Sequence, residues 1–400
     1  MKTRSAIHKK IVFPKTRGYI CLTAHPEGCK HNVKSQINEV LRTKLTSKIK
    51  NVLVIGSSTG YGLSSAITSL FGYDANVLGI CFEKPASRDR TATAGYYNIA
   101  ALHKFAESAG KNIRTINGDA YSKEIKHKTI DTLRNHYGKL DLIIYSLAAP
   151  KRKDPFSDYI YTSVIKPIGM RHTTKTIDLS NSKVINKEVE PATIMEIHET
   201  VKVMGGSDWE LWINTLLEED LINSNCRTLA YSYIGSKATE KIYRSGTIGA
   251  AKEELEKTAI YLNEKLQKQV NGNAWVCVNK ALVTQASSAI PSIPLYLSLL
   301  FKILKIRDES CIEQILRLFN NHIATDKLPL LDNEKRIRLD DIELEPDVQQ
   351  ELLQRWGNVA TENLHTLGDL DKFKNDFLKL FGFNISSIDY NKPVDINVDW

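Results

Sequence analysis

Residues 52–55 (VLVI) are wholly apolar and run straight into the turn Gly56-Ser57-Ser58-Thr59-Gly60-Tyr61-Gly62, which a helical stretch through Leu70 follows. An all-apolar strand reads as one buried on both faces, and such strands belong to parallel sheets covered by helices. Glycines at GxxxGxG spacing permit a sharp reversal and leave backbone N–H groups uncovered, while the next helix turns its positive end toward them. The spacing by itself also fits a plain strand–helix turn. Its place between an apolar strand and a helix is what points to a bound pyrophosphate. Gly56, Ser57, Ser58, Thr59, Gly60 and Tyr61 are therefore candidate dinucleotide-binding residues.

The rhythm repeats along the chain. Strands at 77–82, 113–116 and 142–145 are separated by helices at about 95–109 and 125–137. Residues 151 to about 190 are polar and contain the turn-like run 178–182 (DLSNS), which reads as a β-hairpin excursion. A helix at 204–220, a strand at 228–233, a helix at about 248–266 and a strand at 275–278 then resume the order, and the last hundred residues read as mainly helical. Up to Cys29 the pattern suggests short strands around turns at 14–18 and 26–28, followed by a helix with Val33, Ile37, Val40 and Leu41 on one face. The expected fold class is α/β, a single domain built on a Rossmann-type doubly wound, mainly parallel sheet. Residues 1–48 form an N-terminal β/helix cap, 49–290 the core with a hairpin insertion at 151–200, and 291–400 a helical C-terminal region.

The ends of the strands supply further cofactor candidates. The second strand ends in Phe82-Glu83, 23 residues beyond Gly60. A carboxylate there accepts hydrogen bonds from both adenosine ribose hydroxyls and repels a 2′-phosphate, which favours NADH over NADPH. Lys84, Arg88 and Arg90 stand nearby and would soften that exclusion. Asp119 and Ala120 follow the third strand, where a carboxylate meets an adenine amino group. Leu147 and Ala148 follow the fourth, in a run of small residues over which a cofactor can lie.

Hydride addition at carbon requires a proton donor for the oxygen that gains charge. A tyrosine beside a lysine meets that need, because the ammonium favours the phenolate and lowers the tyrosine pKa. Two such pairs occur. Tyr233 and Lys237 have a Tyr-x3-Lys spacing that would share a helix face, although Gly235 between them opposes helix. Tyr243 and Lys252 are separated by eight residues, and nine steps of about 100° leave them half a turn out of phase on one helix. That pair works if Tyr243 lies in the breaker-rich segment 245–249 (SGTIG) and its approach, with Thr247 capping a helix from about Ile248. Spacing alone leaves both pairs open.

Eight segments decide further. Residues 18–29 (GYICLTAHPEGC), 56–62, 82–85 (FEKP), 166–169 (KPIG), 203–206 (VMGG), 231–235 (YSYIG), 242–249 (IYRSGTIG) and 282–286 (LVTQA) occur in this order over nearly the whole chain. Together they resemble the bacterial trans-2-enoyl reductases that act on enoyl-acyl-carrier-protein or enoyl-coenzyme A. The resemblance implies that Tyr243 is the proton donor and that Lys252 holds the cofactor, NADH. It implies that Tyr233 contacts the substrate carbonyl, that Leu282, Val283 and Thr284 pass the nicotinamide, and that Lys237 is incidental. It also implies a monomer and an enoyl thioester of acyl-carrier protein or coenzyme A as substrate. Residues 86–94 and the last dozen depart from the family pattern.

Composition narrows the alternatives. The net charge of +8 is spread along the chain; it suits anionic ligands such as nucleotides, coenzyme A or an acidic carrier, and equally a mixed solvated surface. No basic block with interleaved aromatics occurs, which argues against nucleic-acid binding. Six cysteines without a CxxC pair read as buried thiols in a reducing compartment. The charged first twenty residues lack a signal-peptide core, and the apolar stretch 293–301 falls short of the roughly 20 residues of a membrane span, so the expectation is a cytoplasmic protein. The histidines show no metal-ligand spacing, so no metal is expected. Residues 290–301 (IPSIPLYLSLLF) read either as the lining of an acyl channel or as a core helix after a proline start.

Overall fold

The computed structural model describes residues 9–88, 90–324 and 327–400; the charged opening, residues 1–8, lies outside them. Seven strands form one sheet: β1 (Asn51–Ile55), β2 (Asn76–Cys81), β3 (Ile113–Asn117), β4 (Leu140–Tyr145), β5 (Ile222–Ser232), β6 (Asn273–Val278) and β7 (Ile337–Arg338). Their spatial order is β7-β6-β5-β4-β1-β2-β3, and every pairing is parallel. The chain runs outward from β1 to β3 and crosses back to β4, so the order reverses between β1 and β4. Open sheets of this kind bind ligands in the crevice at that reversal, beyond the carboxyl ends of the strands.

The apolar run in β1 is split between the two faces. Val52 and Val54 pack on one side with residues of α1 (Pro26–Arg42), α2 (Gly60–Ile67) and α3 (Ala94–Ser108). Leu53 and Ile55 pack on the other with α4 (Lys123–His136), α6 (Ser207–Glu218) and α7 (Thr247–Val270), α5 being Ile194–Met204. A third cluster joins residues just beyond β5 and β6, among them Tyr243, Ala281 and Val283, to α8 (Ile293–Leu304) and to the C-terminal helices. The insertion after β4 contains the expected hairpin, His172–Asp178 against Lys183–Val189.

Four sequence expectations need correction. Residues 26–28 are not a turn but the first turn of α1, where His25 Nδ1 accepts from Gly28 N at 3.2 Å; Leu41 is 62% exposed and off the buried face. The helix expected at 204–220 is present as α6, but the sequence reading does not include α5 ahead of it; Gly205-Gly206 separates the two, and a Cβ on Gly206 would lie 2.3 Å from Thr258 Oγ1 of α7. The α5 start carried a legible signature, the reciprocal capping box Thr193/Glu196. Finally, the helical C-terminal region contributes β7 to the sheet edge.

All six cysteines are free, five of them buried. No helix among the described residues is long and apolar enough to cross a membrane. Asp208 of α6 anchors a buried ion cluster: Lys126 Nζ of α4 lies 2.9 Å and Arg152 Nη2 3.9 Å from its Oδ1, and Tyr145 Oη of β4 donates to its Oδ2 at 3.1 Å. Burial pushes the Lys126 pKa down and Asp208 opposes that. Removing one partner of such a pair strands a charge in a medium that cannot solvate it. Asp208→Ala should therefore lower the unfolding free energy by about 3–5 kcal/mol in urea titrations, and a loss below about 1 kcal/mol would mean the pair is not buried as described.

Candidate active site

The glycine turn sits at the reversal of strand order. Gly56 has φ of 91°, and a Cβ there would lie 2.1 Å from Ser146 O in the loop after β4. On Gly62 a Cβ would lie 1.9 Å from Gly56 O. Both glycines are thus required by close backbone approach. The first turn of α2 receives no side-chain cap at Thr59, so its N–H groups remain available to an anion, as a dinucleotide pyrophosphate demands. The turn's side chains point inward. Ser57 Oγ donates to Ile80 O at 3.2 Å, and Tyr61 Oη to Lys280 O at 2.8 Å. The turn therefore offers backbone, not side chains, to a ligand.

Glu83 stands just beyond β2. Its Oε1 accepts from Ser58 Oγ at 2.6 Å and its Oε2 from Thr93 Oγ1 at 2.5 Å, which aims the carboxylate across the turn. Asn117 fixes the backbone of Glu83 from β3 with bonds of 2.8 and 2.9 Å. Phe82 beside it is 75% exposed, an open ring face. Asp119 accepts from Tyr121 N at 3.0 Å and borders a cavity of about 410 Å³ shared with Lys123 and Phe156. Ala120 is buried and its carbonyl is held by Lys126, whereas Leu147 is half-buried and Ala148 exposed. Leu282 and Val283 are buried and Thr284 half-buried, and Thr284 Cγ2 is the nearest atom, at 3.9 Å, to a Cβ built on Gly60. The structure thus brings the segment after β6 to the glycine turn.

The two tyrosine–lysine pairs are placed differently. Gly235 has φ of 85°, residues 237–245 form turns, and Lys237 is exposed, so Tyr233 and Lys237 share no helix face. Tyr243 lies in those turns and α7 begins at Thr247, with Lys252 in its second turn. Thr247 does not cap the helix; its Oγ1 donates to Val164 O at 2.5 Å. Gly249 makes the geometry: its N donates to Tyr243 O at 2.9 Å, and a Cβ would lie 1.7 Å from Arg244 O. Tyr243 is 5% and Lys252 7% exposed. Among the described residues neither Tyr243 Oη nor Lys252 Nζ has a hydrogen-bond partner, yet neither is sealed from solvent, so both are open to a ligand.

Their protonation states follow from burial. Burial lowers Lys252 to about 8, with Glu256 opposing. Burial raises the Tyr243 pKa, with Arg244 opposing. The sequence expectation that an ammonium would lower this tyrosine's pKa is reversed: desolvation wins, and Tyr243 keeps its proton. Arg244 in turn is bound in bidentate fashion to Glu256 at 3.0 and 3.1 Å.

Tyr233 does not present a free hydroxyl. It donates to Glu343 Oε1 at 3.0 Å, and its ring meets the Tyr243 ring edge-on with centroids 5.1 Å apart. Tyr296 of α8 donates to the same oxygen at 2.5 Å, and Ala281 N donates to Oε2 at 2.6 Å. Sequence reasoning missed Glu343 and Tyr296. Tyr296 carried a signal, as the one aromatic hydroxyl in the apolar run of α8, which has to find a buried partner.

With the geometry in place, comparison with known proteins is informative. Residues 90–324 match the family model described as the trans-2-enoyl-CoA reductase catalytic region, and residues 11–88 that of the NAD(P)H binding domain of trans-2-enoyl-CoA reductase. The chain belongs to the trans-2-enoyl-CoA reductase family. It is 50% identical over 388 residues to the trans-2-enoyl-CoA reductase [NADH] of Clostridium perfringens, covering 96% of this chain and 99% of that one. It is 49% identical over 393 residues to the enoyl-[acyl-carrier-protein] reductase [NADH] of Pseudoalteromonas atlantica, covering 98% and 100%. The crystal structure of Treponema denticola trans-2-enoyl-CoA reductase in complex with NAD superposes with a TM-score of 0.92 at 45% identity, covering 98% of this chain and 99% of that one.

Residues 331–394 match a third family model, described as an enoyl reductase FAD binding domain. The residues present do not fit a flavin. The strand β7 leads to buried Glu343 and then to α10 (Pro346–Asn358, α9 being Cys311–Leu318), with no glycine turn between strand and helix. The guanidinium groups of Arg336 and Arg338, the cations of this segment that could meet a pyrophosphate, are bound to Asp332, Glu334, Asp340 and Glu256. The segment braces the reductase instead.

Gly249→Ala tests the contact that seats Tyr243. In an open helix the change would stabilise by up to about 1 kcal/mol. Here the new methyl meets backbone, so urea titration should show a net loss of about 1–3 kcal/mol, and a gain would mean the turn does not lie on the helix.

Proposed function

We propose that this reductase transfers hydride from NADH to the C2=C3 double bond of trans-2-enoyl thioesters carried on coenzyme A or acyl-carrier protein, giving the saturated acyl thioester, as in the last step of fatty-acid elongation. The observation that carries this reading is a buried tyrosine and a buried lysine, both with open polar ends, the tyrosine held by backbone contacts against the first turn of the helix that carries the lysine. The names of relatives support it for both carriers, and their NADH preference agrees with Glu83.

NADH, when bound, supplies the hydride that C3 accepts. The N–H groups at Ser58 to Tyr61 hold the pyrophosphate, those of Gly56 and Ser57 being spent on Ile80 O, with Phe82, Asp119 and Ala120 at the adenine. Glu83 takes the adenosine ribose hydroxyls on the acceptor positions that Ser58 and Thr93 leave free, since each carboxylate oxygen accepts twice. Leu147 and Ala148 lie under the cofactor, and Leu282, Val283 and Thr284 flank the nicotinamide. As C3 gains hydride, the electron pair moves to the thioester oxygen. Tyr243 hydrogen-bonds that oxygen and supplies the proton that completes C2. Lys252 holds the cofactor. Tyr233 borders the substrate through its ring, because its hydroxyl is committed to Glu343. The reductase works as a monomer in the cytoplasm, a compartment that free thiols suit.

Steady-state NADH oxidation with C4 to C12 enoyl thioesters on both carriers tests the reading; no consumption with any of them would overturn it. Tyr243→Phe should lower kcat by about 10²–10⁴-fold, and Tyr233→Phe by much less. The reverse ranking would move the chemistry to Tyr233. Lys252 adds a pH signature. Its ammonium is lost as pH rises through about 8, so NADH affinity should be level below that pH and fall above it, whereas Lys252→Met should bind weakly with no such break in a fluorescence titration.

A further inference from the structure

Glu343 is a titratable group that the mechanism above does not use. It is fully buried, at 0% exposure, on the loop between β7 and α10. Three neutral donors converge on its two oxygens: the Tyr233 and Tyr296 hydroxyls on Oε1 and the Ala281 amide on Oε2. An acceptor-only carboxylate satisfies that arrangement in full. Among the described residues no cation forms an ion pair with it. The nearby cations are spent elsewhere, Lys280 on Asp308 at 2.6 Å and Arg338 on Asp340 at 2.7 Å.

Its three partners are not scattered. Tyr233 lies against Tyr243, Tyr296 belongs to the apolar helix α8, and Ala281 directly precedes Leu282-Val283-Thr284, the segment that reaches the glycine turn. One carboxylate therefore joins the tyrosine wall to the loop beside the cofactor. We propose that Glu343 is a positioning residue that fixes this loop and holds an unneutralised negative charge behind it, so that the site binds NAD+ more tightly relative to NADH than an uncharged site would. This rests on the reading of Leu282–Thr284 as the nicotinamide side. The nicotinamide ring is neutral in NADH and positive in NAD+, so a fixed anion across a low-dielectric wall acts on one form only. The expected difference is on the order of tenfold in affinity. The same charge favours the ring as it loses hydride and slows release of the oxidised product.

Binding of each nucleotide to the full chain, followed by tryptophan fluorescence without substrate, decides the matter. Glu343→Gln should weaken NAD+ by about tenfold while leaving NADH within about threefold. Glu343→Asp, which keeps the charge, should restore the ratio. A merely structural Glu343 would move both affinities together, and that result, or an unchanged ratio, would overturn the proposal. Should the Gln variant fail to fold by circular dichroism, Tyr233→Phe/Tyr296→Phe carries the same expectation. Stripped of two donors, the buried carboxyl takes up a proton and the selective loss of NAD+ should reappear. A wild-type chain that neither binds NADH nor consumes it with crotonyl-coenzyme A would overturn the reductase reading and this proposal with it. A wild type that does both, with the ratio unmoved in the variants, would sink this proposal alone.

Discussion

The close approach of two strand-end loops, at Gly56 and Ser146, is the constraint on which the cofactor site depends. Ser146 N donates to Ile55 O at 2.8 Å, and no side chain fits between the loops because a Cβ on Gly56 would collide with Ser146 O. The crossing from β3 back to β4 makes β1 and β4 neighbours, and a parallel pair ends both strands at one edge. What remains there is a shallow crevice floored by backbone. The serines and the tyrosine of the turn point inward and brace it against β2 and the segment after β6. The turn is thus shaped by the packing behind it, and a pyrophosphate bound there, as proposed, would meet backbone amides and a helix end.

Buried charge is distributed by the same logic. Lys126 with Asp208 and Lys280 with Asp308 are paired, and such pairs hold elements in register at modest net stability. Among the described residues Lys252 and Glu343 are buried without an ion-pair partner, and burial moves their pKa values in opposite directions, down for the lysine and up for the carboxyl. An unpaired buried charge costs stability, and a fold keeps one where a ligand or a reaction makes use of it. Both lie near the tyrosines that close the site.

How much of this was legible in the sequence depends on whether the signal is local. The strand–turn–helix at 52–70 was, because apolar periodicity and glycine spacing are local properties, and so was the buried stripe of α7, where Ile248, Ala251, Leu255, Ala259, Leu262 and Leu266 are all buried. Helix α5 was missed because it follows directly on the polar insertion, where the Thr193/Glu196 capping box is the local mark of its start. The first turn of α1 was misread because proline and glycine together suggest a turn, while proline is also at home in a helix's first turn. Glu343 was invisible for a different reason. It stands in the acidic run 340–347 (DDIELEPD), indistinguishable from solvated neighbours, and only its partners from three other segments make it special.

The eight-residue gap between Tyr243 and Lys252 has a physical origin in the same nonlocality. On one helix the two side chains would diverge, so the tyrosine must be supplied from outside it. The turns at 237–245 fold back so that Tyr243 and Arg244 present their carbonyls to the first turn of α7, and Gly249 is bare where that backbone lands. The seat is closed from the insertion: Thr247 N donates to Lys166 O at 3.0 Å, Pro167 bridges Gly246, and Lys166 is anchored to Glu196 of α5 at 2.6 Å. A spacing of three would need only a helix. A spacing of eight needs a helix, a fold-back and a clamp from eighty residues upstream, and it brings in return a tyrosine held by backbone contacts on two sides. The hairpin insertion is therefore tied to the reacting groups, since the segment that leads into it is the one that fixes where α7 begins.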